Sequence, residues 1–276
     1  MGVIYKNVNY DYCAMLIISI LIITTILRRM IKGKVNRSFL EVLVVAWLTI
    51  LFDIWAVHLD NLGVQQVFTK YVAHMGYLVL HSLEMPFYIT YLVAMTDTWH
   101  LFKAKRLLAF LSSFPVLVIT GLILTSPATK WIFYINAQYE YTRGKYFTLL
   151  YVCAVIYLIY GLVYLGIHRK MFRRRYLVSL GIVFVAEIAG VAIQYFYPTS
   201  LVEMLCMAIG LMFISLMLQR PEERLDMITG LDKMTAYMDD MRHAFRTRKP
   251  IHIIMVNITN YASLRELLGY GKCMQV

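Results

Sequence analysis

Four carboxylates and one imidazole fall inside long apolar runs, where ionisable groups are rare. They are Asp53, Glu84, Glu187 and Glu203, with His81 three residues before Glu84. Residues three apart share a helix face, so His81 and Glu84 can meet. An ionisable side chain in a hydrocarbon surround costs about 3 kcal/mol or more before it finds partners, which marks such a group as a functional candidate. Three chemistries fit the set: hydrogen bonding between helices, a pocket open to the outside, and a metal or proton site built on His81 and Glu84. Pro86, two residues further on, can kink the helix and free carbonyl oxygens beside them.

The elements that must position these groups follow from composition. The chain has 276 residues, 60% hydrophobic and only 16% charged. A globular domain carries about 25% charged residues, so lipid is the expected solvent for most of this chain. Seven apolar stretches have the length a bilayer crossing needs, about 17–25 residues. They lie near 11–28, 38–58, 72–95, 107–125, 147–167, 177–196 and 200–218. The linking segments "RRMIKGKVNR", Lys103–Arg106 and "HRKMFRRRY" hold most of the Lys and Arg, whereas the opposite loops offer only Lys6, Lys70, Lys130, Arg143 and Lys145. Basic loops stay on the cytoplasmic side, so the N-terminus is expected outside and residue 219 onward in the cytoplasm. In that orientation Asp53, His81 and Glu203 lie in the outer half, and Glu84 and Glu187 near the middle.

The net charge of +11 is a membrane signature of this kind. No aromatic-interleaved basic patch lies outside the loops, which argues against a nucleic-acid partner. Cys13, Cys153, Cys206 and Cys273 form no C-x-x-C pair, so neither zinc nor a disulfide framework is indicated. The start "MGVIYKNVNYDY" has no basic n-region and does not read as a removable signal peptide.

After residue 219 the composition turns polar. The expected division is a seven-helix membrane region over 1–219, a linker over 220–232 and the start of a cytoplasmic domain over 233–276. Met234, Tyr237, Met238, Met241 and Phe245 recur at helical spacing and predict one apolar face destined for a domain core. Pro250 ends that helix, and "IHIIMVNI" predicts a buried strand over 251–258. A short helix follows, with Leu264, Leu267 and Leu268 inward and Gly269 as its stop. Helix, apolar strand and helix open an α/β domain, of which the chain is expected to hold only the first part. The fold class expected is therefore mostly α: a polytopic seven-helix transmembrane bundle followed by the start of an α/β domain.

The segment "LDMITGLDKMTAY" resembles the D-x-L-T-G-L-x-N-R-x-x-F opening of GGDEF domains, the fold of diguanylate cyclases. Asp226, Thr229, Gly230 and Leu231 match as they stand. "NITNYASLRELLGYGKCM" aligns without a gap on the family's D-I-D-x-F-K-x-I-N-D-x-x-G-H-x-x-G-D. In the family the first Asp binds the Mg2+ or Mn2+ that bridges the GTP triphosphate; Asn257 stands there, with no charge for a hard cation. Arg265 and Met274 stand where the family contacts guanine with Asn and Asp. Arg265 only donates, and Met274 is at best a weak acceptor. The resemblance thus implies a GGDEF-like fold with little or no cyclic-di-GMP synthesis, a homodimer, and a relay role of the kind degenerate GGDEF domains play ahead of an EAL phosphodiesterase domain. The seven-span region is similar to sensors found before bacterial histidine kinases and GGDEF proteins. "MRHAF" lacks an acid after His243, which disfavours a kinase. Together these likenesses imply a bacterial inner-membrane receptor for an external small ligand with a cyclic-di-GMP output. An active membrane diguanylate cyclase, and a transporter or membrane enzyme using the buried acids, are the alternatives.

Overall fold

The structure is a computed structural model that describes residues 7–27, 34–63, 65–96, 98, 106–169, 172, 174–197, 201–218, 234–247 and 252–255. Unit 1 spans Met1–Leu218 and unit 2 spans Gln219–Val276. Helices dominate the described residues of both. In unit 1 these are α1 (Asn9–Leu27), α2 (Lys34–Asn61), α3 (Val67–Thr96), α4 (Arg106–Leu124), the single turn α5 (Ser126–Thr129), α6 (Thr148–Ile167), α7 (Arg174–Phe196) and α8 (Glu203–Leu218). Five of them, α1, α2, α3, α6 and α7, are long and apolar enough to cross a bilayer. The apolar parts of α4 and α8, Ser112–Leu124 and Glu203–Met217, are shorter.

The sidedness of α1 shows why these sequences form helices that pack. Its buried residues are Asp11, Ala14, Ile18, Leu21 and Thr25, at steps of three and four, while Leu16, Ile20, Ile23 and Leu27 are exposed. One stripe meets protein, and the other is as apolar and meets none, as lipid-facing helices require. Helix α2 lies along α3, and α7 along α8; α1 packs against both α2 and α8, so the first and last apolar helices of the unit are neighbours. Helix α3 also meets α4 and α6.

Glycines let helices approach this closely. A Cβ on Gly76 of α3 would stand 2.2 Å from the Phe52 ring of α2, and a Cβ on Gly190 of α7 would stand 2.9 Å from the Glu203 Cα of α8. Two of the long helices contain proline in their interiors, Pro86 in α3 and Pro115 in α4. Beside Pro115 the Tyr157 hydroxyl accepts from Val116 N at 3.3 Å and donates to Ser112 O at 2.7 Å, so a phenol from α6 bridges the turn that the proline disturbs.

Helices α2 and α3 run beyond the expected 38–58 and 72–95, and the added turns carry Asp60 and Lys70. The stretch between α4 and α6 also holds more order than a plain loop. Strands β1 (Phe133–Ile135) and β2 (Tyr141–Arg143) form an antiparallel hairpin, Phe133 facing Arg143 and Ile135 facing Tyr141. The Asn136 side chain accepts from the backbone N–H groups of Gln138 and Glu140 at 2.9 and 2.8 Å and so organises the turn, and Tyr139 takes a left-handed φ of 61° within it. Nothing in the hydropathy pattern announces so short a hairpin.

Unit 2 contributes helix α9 (Met234–Thr247) and residues 252–255. The helix lies where its spacing predicts. On its apolar face Met234, Tyr237, Met238 and Phe245 are exposed, so the core expected there is not formed among the described residues. The strand expected over 251–258 is likewise absent over 252–255, where Ile253, Ile254 and Met255 are exposed and unpaired into any sheet. Both readings needed a covering layer, and an apolar run becomes a strand only beside a partner. The remainder of the expected strand, the short helix with Leu264, Leu267 and Leu268, and the matching positions Asp226, Thr229, Gly230, Leu231, Asn257, Arg265 and Met274 lie outside the described residues.

Candidate functional site

The site is organised by α3. Lys70, His74, Tyr77, His81, Glu84, Tyr88 and Tyr91 follow one another at steps of four, three, four, three, four and three, which puts them on one helical stripe. Lys70, His74, Glu84, Tyr88 and Tyr91 are buried. The stripe is charged toward the hairpin end of α3 and aromatic toward the other, where the Tyr88 hydroxyl donates to Leu180 O on α7 at 2.7 Å.

His81 sits between two acids. Its Nδ1 is 3.2 Å from Glu84 Oε2 on the same helix, and its Nε2 is 3.4 Å from Glu203 Oε1 on α8. An imidazole donates from both nitrogens only as the imidazolium. Tyr77 stacks on the His81 ring, with centroids 5.6 Å apart and planes 12° from parallel. The close approach at Gly190, one turn beyond Glu187, holds the first turn of α8 against α7 and so fixes Glu203 beside His81.

More acids surround this trio than it can pair. Glu187 lies within electrostatic reach of Glu203, Glu84 and His81. Asp11, at the start of α1, is within reach of Asp53 and Glu203, and Tyr77 feels Asp53, Glu203, Glu84 and Asp11. Of the predicted residues, the structure joins His81, Glu84 and Glu203 in contact and adds Tyr77 on the imidazole face; Glu187 lies within electrostatic reach of that trio and Asp11 within reach of Glu203, whereas Asp53 is placed only near Asp11 and Tyr77. Several acceptors in the set meet no donor from the chain: both carboxylate oxygens of Asp11, Glu84 Oε1 and Glu187 Oε2. Buried acceptors normally have partners, so four such atoms in one cluster require an explanation. Among the described residues no three His, Cys, Asp or Glu groups stand so as to hold one metal ion. Asp11 was legible: it begins the buried stripe of α1, although its place at the end of the apolar run suggests an interfacial acid.

Toward the hairpin, the charges are arranged differently. Lys70 Nζ donates to Tyr139 O at 2.6 Å and stands 3.5 Å from Asp60 Oδ1, and His74 Nε2 is 3.3 Å from the same oxygen. The His74 ring packs against Tyr141 and Phe133 of the hairpin, with centroids 4.4 and 6.1 Å away, and the Tyr71 hydroxyl accepts from Ile135 N at 3.2 Å. Burial pushes the Tyr141 phenol above its ordinary range, against the opposing pull of Arg143. Near Asp11, the hydroxyl of Tyr12 lies 2.7 Å from His58 Nε2 and ties α1 to α2.

Comparison with known proteins adds no relative to this geometry: no family model, no curated protein and no solved structure matches the chain. The site is read from its own chemistry.

Proposed function

We propose that the chain is a bacterial inner-membrane receptor that takes an external small-ligand signal and passes it to a cyclic-di-GMP output. The observation that supports this most is His81 held between Glu84 of α3 and Glu203 of α8, with Glu187 of α7 within electrostatic reach and buried acceptors of Asp11, Glu84 and Glu187 left without donors from the chain. Groups of this kind in apolar surroundings are kept for function, since a fold is better served by apolar packing. In the proposed arrangement α1, α2, α3, α4, α6, α7 and α8 are the seven spans. The basic segments around 28–37, 103–106 and 169–175 favour a cytoplasmic side opposite the hairpin. His81 and Glu203 then lie nearer the outside.

The output half of the proposal rests on the GGDEF resemblance of residues 226–274. Asn257, Arg265 and Met274 favour a relay over a catalyst. Mg2+ or Mn2+ with GTP would be needed only by a complete, active domain, and a homodimer is the proposed assembly. A helix such as α3, which carries both the His81 cluster and the Tyr88–Leu180 contact to α7, gives a ligand a way to bias two arrangements of the helices.

The test compares intracellular cyclic-di-GMP in cells with the wild-type protein, without it, and with His81→Gln. Removal and His81→Gln should each shift the level, while GTP turnover by the wild-type protein with Mg2+ or Mn2+ stays at background. An unchanged cyclic-di-GMP level on removal contradicts the receptor reading. Robust turnover that falls with Asn257→Ala contradicts the relay.

A further inference from the structure

We propose that the junction of α5, the hairpin and α6 is a headgroup site for an anionic phospholipid of the leaflet on the hairpin side. Lys130, Arg143 and Lys145 are exposed there, together with Trp131 and Tyr146. Backbone contacts bring the two segments together. Gly144 N donates to Ile132 O at 2.7 Å, and Tyr146 N donates to Trp131 O at 2.9 Å. A Cβ on Gly144 would stand 2.6 Å from Lys130 O, so the approach needs glycine. Ser126 Oγ accepts from the N–H groups of Ile132 and Phe133, each at 3.0 Å, and fixes the turn that carries Lys130. Three cations from two segments thus meet at the base of the hairpin.

Each cation rests on an aromatic ring. Lys130 Nζ is 5.9 Å from the Tyr134 centroid, Arg143 Cζ 4.7 Å from that of Phe147, and Lys145 Nζ 5.6 Å from that of Tyr146. Trp131 meets the Tyr146 ring edge-on at 5.9 Å. An aromatic face attracts a cation without neutralising it. Among the described residues no carboxylate forms an ion pair with any of the three. Glu140, the acid of this stretch, is turned to Asn136, whose Nδ2 lies 3.4 Å from Oε2. The patch therefore keeps its positive charge for an anion from outside the chain.

The helix that follows selects the anion. Helix α6 starts three residues after Lys145, and Leu149, Val152, Ile156, Ile159 and Val163 make an exposed apolar stripe along it. It is one of the helices long and apolar enough to cross a bilayer. A lipid whose chains lie on that stripe presents its phosphate at the start of the helix, where the patch stands. Trp and Tyr favour that depth, and long cationic side chains reach from apolar surface to headgroups. A soluble anion gains nothing from the stripe, and a zwitterionic headgroup offsets its phosphate with a cation of its own.

The experiment uses the full chain in nanodiscs of phosphatidylcholine and phosphatidylglycerol. A trace of one lipid or the other carries a photoreactive group near its headgroup, and adducts are mapped by peptide mass spectrometry. At equal mole fraction, phosphatidylglycerol should label residues 130–152 about tenfold or more over phosphatidylcholine, the preference expected of several cations at the membrane surface. The triple variant Lys130→Gln, Arg143→Gln, Lys145→Gln should bring that ratio close to one, while labelling near the basic segments 28–37 and 169–175 stays as in the wild type. Thermal melts show whether the variant is folded. The double variant Lys130→Gln, Lys145→Gln spares the Arg143–Phe147 contact and should lower the ratio part of the way, which gives a second reading. Equal labelling by the two lipids, labelling by neither, or a preference that survives in the folded variants overturns the inference. A preference abolished by millimolar glycerol phosphate marks a site for free phosphate and overturns it as well.

Discussion

Helix α3 carries two buried polar clusters, one at Lys70 and His74 and one at His81 and Glu84, little more than two turns apart. At the first, Lys70 is matched by Asp60 and by the Tyr139 carbonyl, and His74 by Asp60, so charge and hydrogen bonding nearly balance. At the second, Glu84 and Glu203 contact one imidazole, Glu187 lies within electrostatic reach, and four oxygens of Asp11, Glu84 and Glu187 go without donors from the chain. A balanced buried cluster specifies geometry: it seats the hairpin at the Asn61 end of α2 and the Val67 end of α3. An unbalanced one detracts from the fold and so has another reason to exist. The same helix thus carries one cluster whose groups are matched and one whose acceptors are not, and the proposal reads the second as a binding site.

The sharpest way to break that contrast is to unbalance the first cluster. Lys70→Met leaves Asp60 and the Tyr139 carbonyl without their ammonium and should destabilise unit 1 by about 3 kcal/mol, the usual penalty for orphaning a buried charge. Thermal unfolding in nanodiscs reads this as a clear drop in Tm, and an unchanged Tm would show that Lys70 does not hold the hairpin in place. A next-smaller effect is expected from Gly190→Ala, which adds a methyl 2.9 Å from the Glu203 Cα and must push α8 away from α7. Overpacking of this sort costs about 1–3 kcal/mol. It should also weaken the His81–Glu203 pair, visible as a changed His81 ring resonance in NMR of labelled protein; an unaltered resonance would separate Gly190 from the site.

A smaller effect is tied to pH. Tyr141 has a phenol raised by burial above its ordinary range. The folded state therefore keeps the proton that the unfolded state releases near pH 10. Stability from this group is complete below that value and is lost as pH rises through the folded pKa. Tyr141→Phe should flatten the alkaline limb of the stability curve measured from pH 9 upward. An identical limb in the variant would mean that the hairpin does not titrate there.

The contrast between the clusters was only partly visible in the sequence. Apolar runs located the helices within a few residues, because lipid exposure leaves a long and simple signal. His81 and Glu84 could be paired from spacing alone. Their partner Glu203 could not, since nothing local says that α8 returns to α3. Lys70 read as a loop cation because it precedes the apolar run, and only the hairpin that covers it explains its burial. Asp11 carried a usable signal in the 11, 14, 18, 21, 25 stripe, obscured by its place at the helix start. For the GGDEF-like segment the motif positions lie outside the described residues, so that part of the reading rests on Asp226, Thr229, Gly230 and Leu231 as sequence.

The central claim is that the acids around His81 serve binding and not the fold. Its most direct test is the unliganded stability of the double variant Asp11→Asn, Glu187→Gln, melted beside the wild type and Lys70→Met in the same nanodiscs. The account expects the double variant to melt at or above the wild type, because two unmatched carboxylates have been neutralised with little change of shape, while Lys70→Met melts well below. A double variant that falls as far as Lys70→Met would show that the cluster holds the helices together, and the claim would fail.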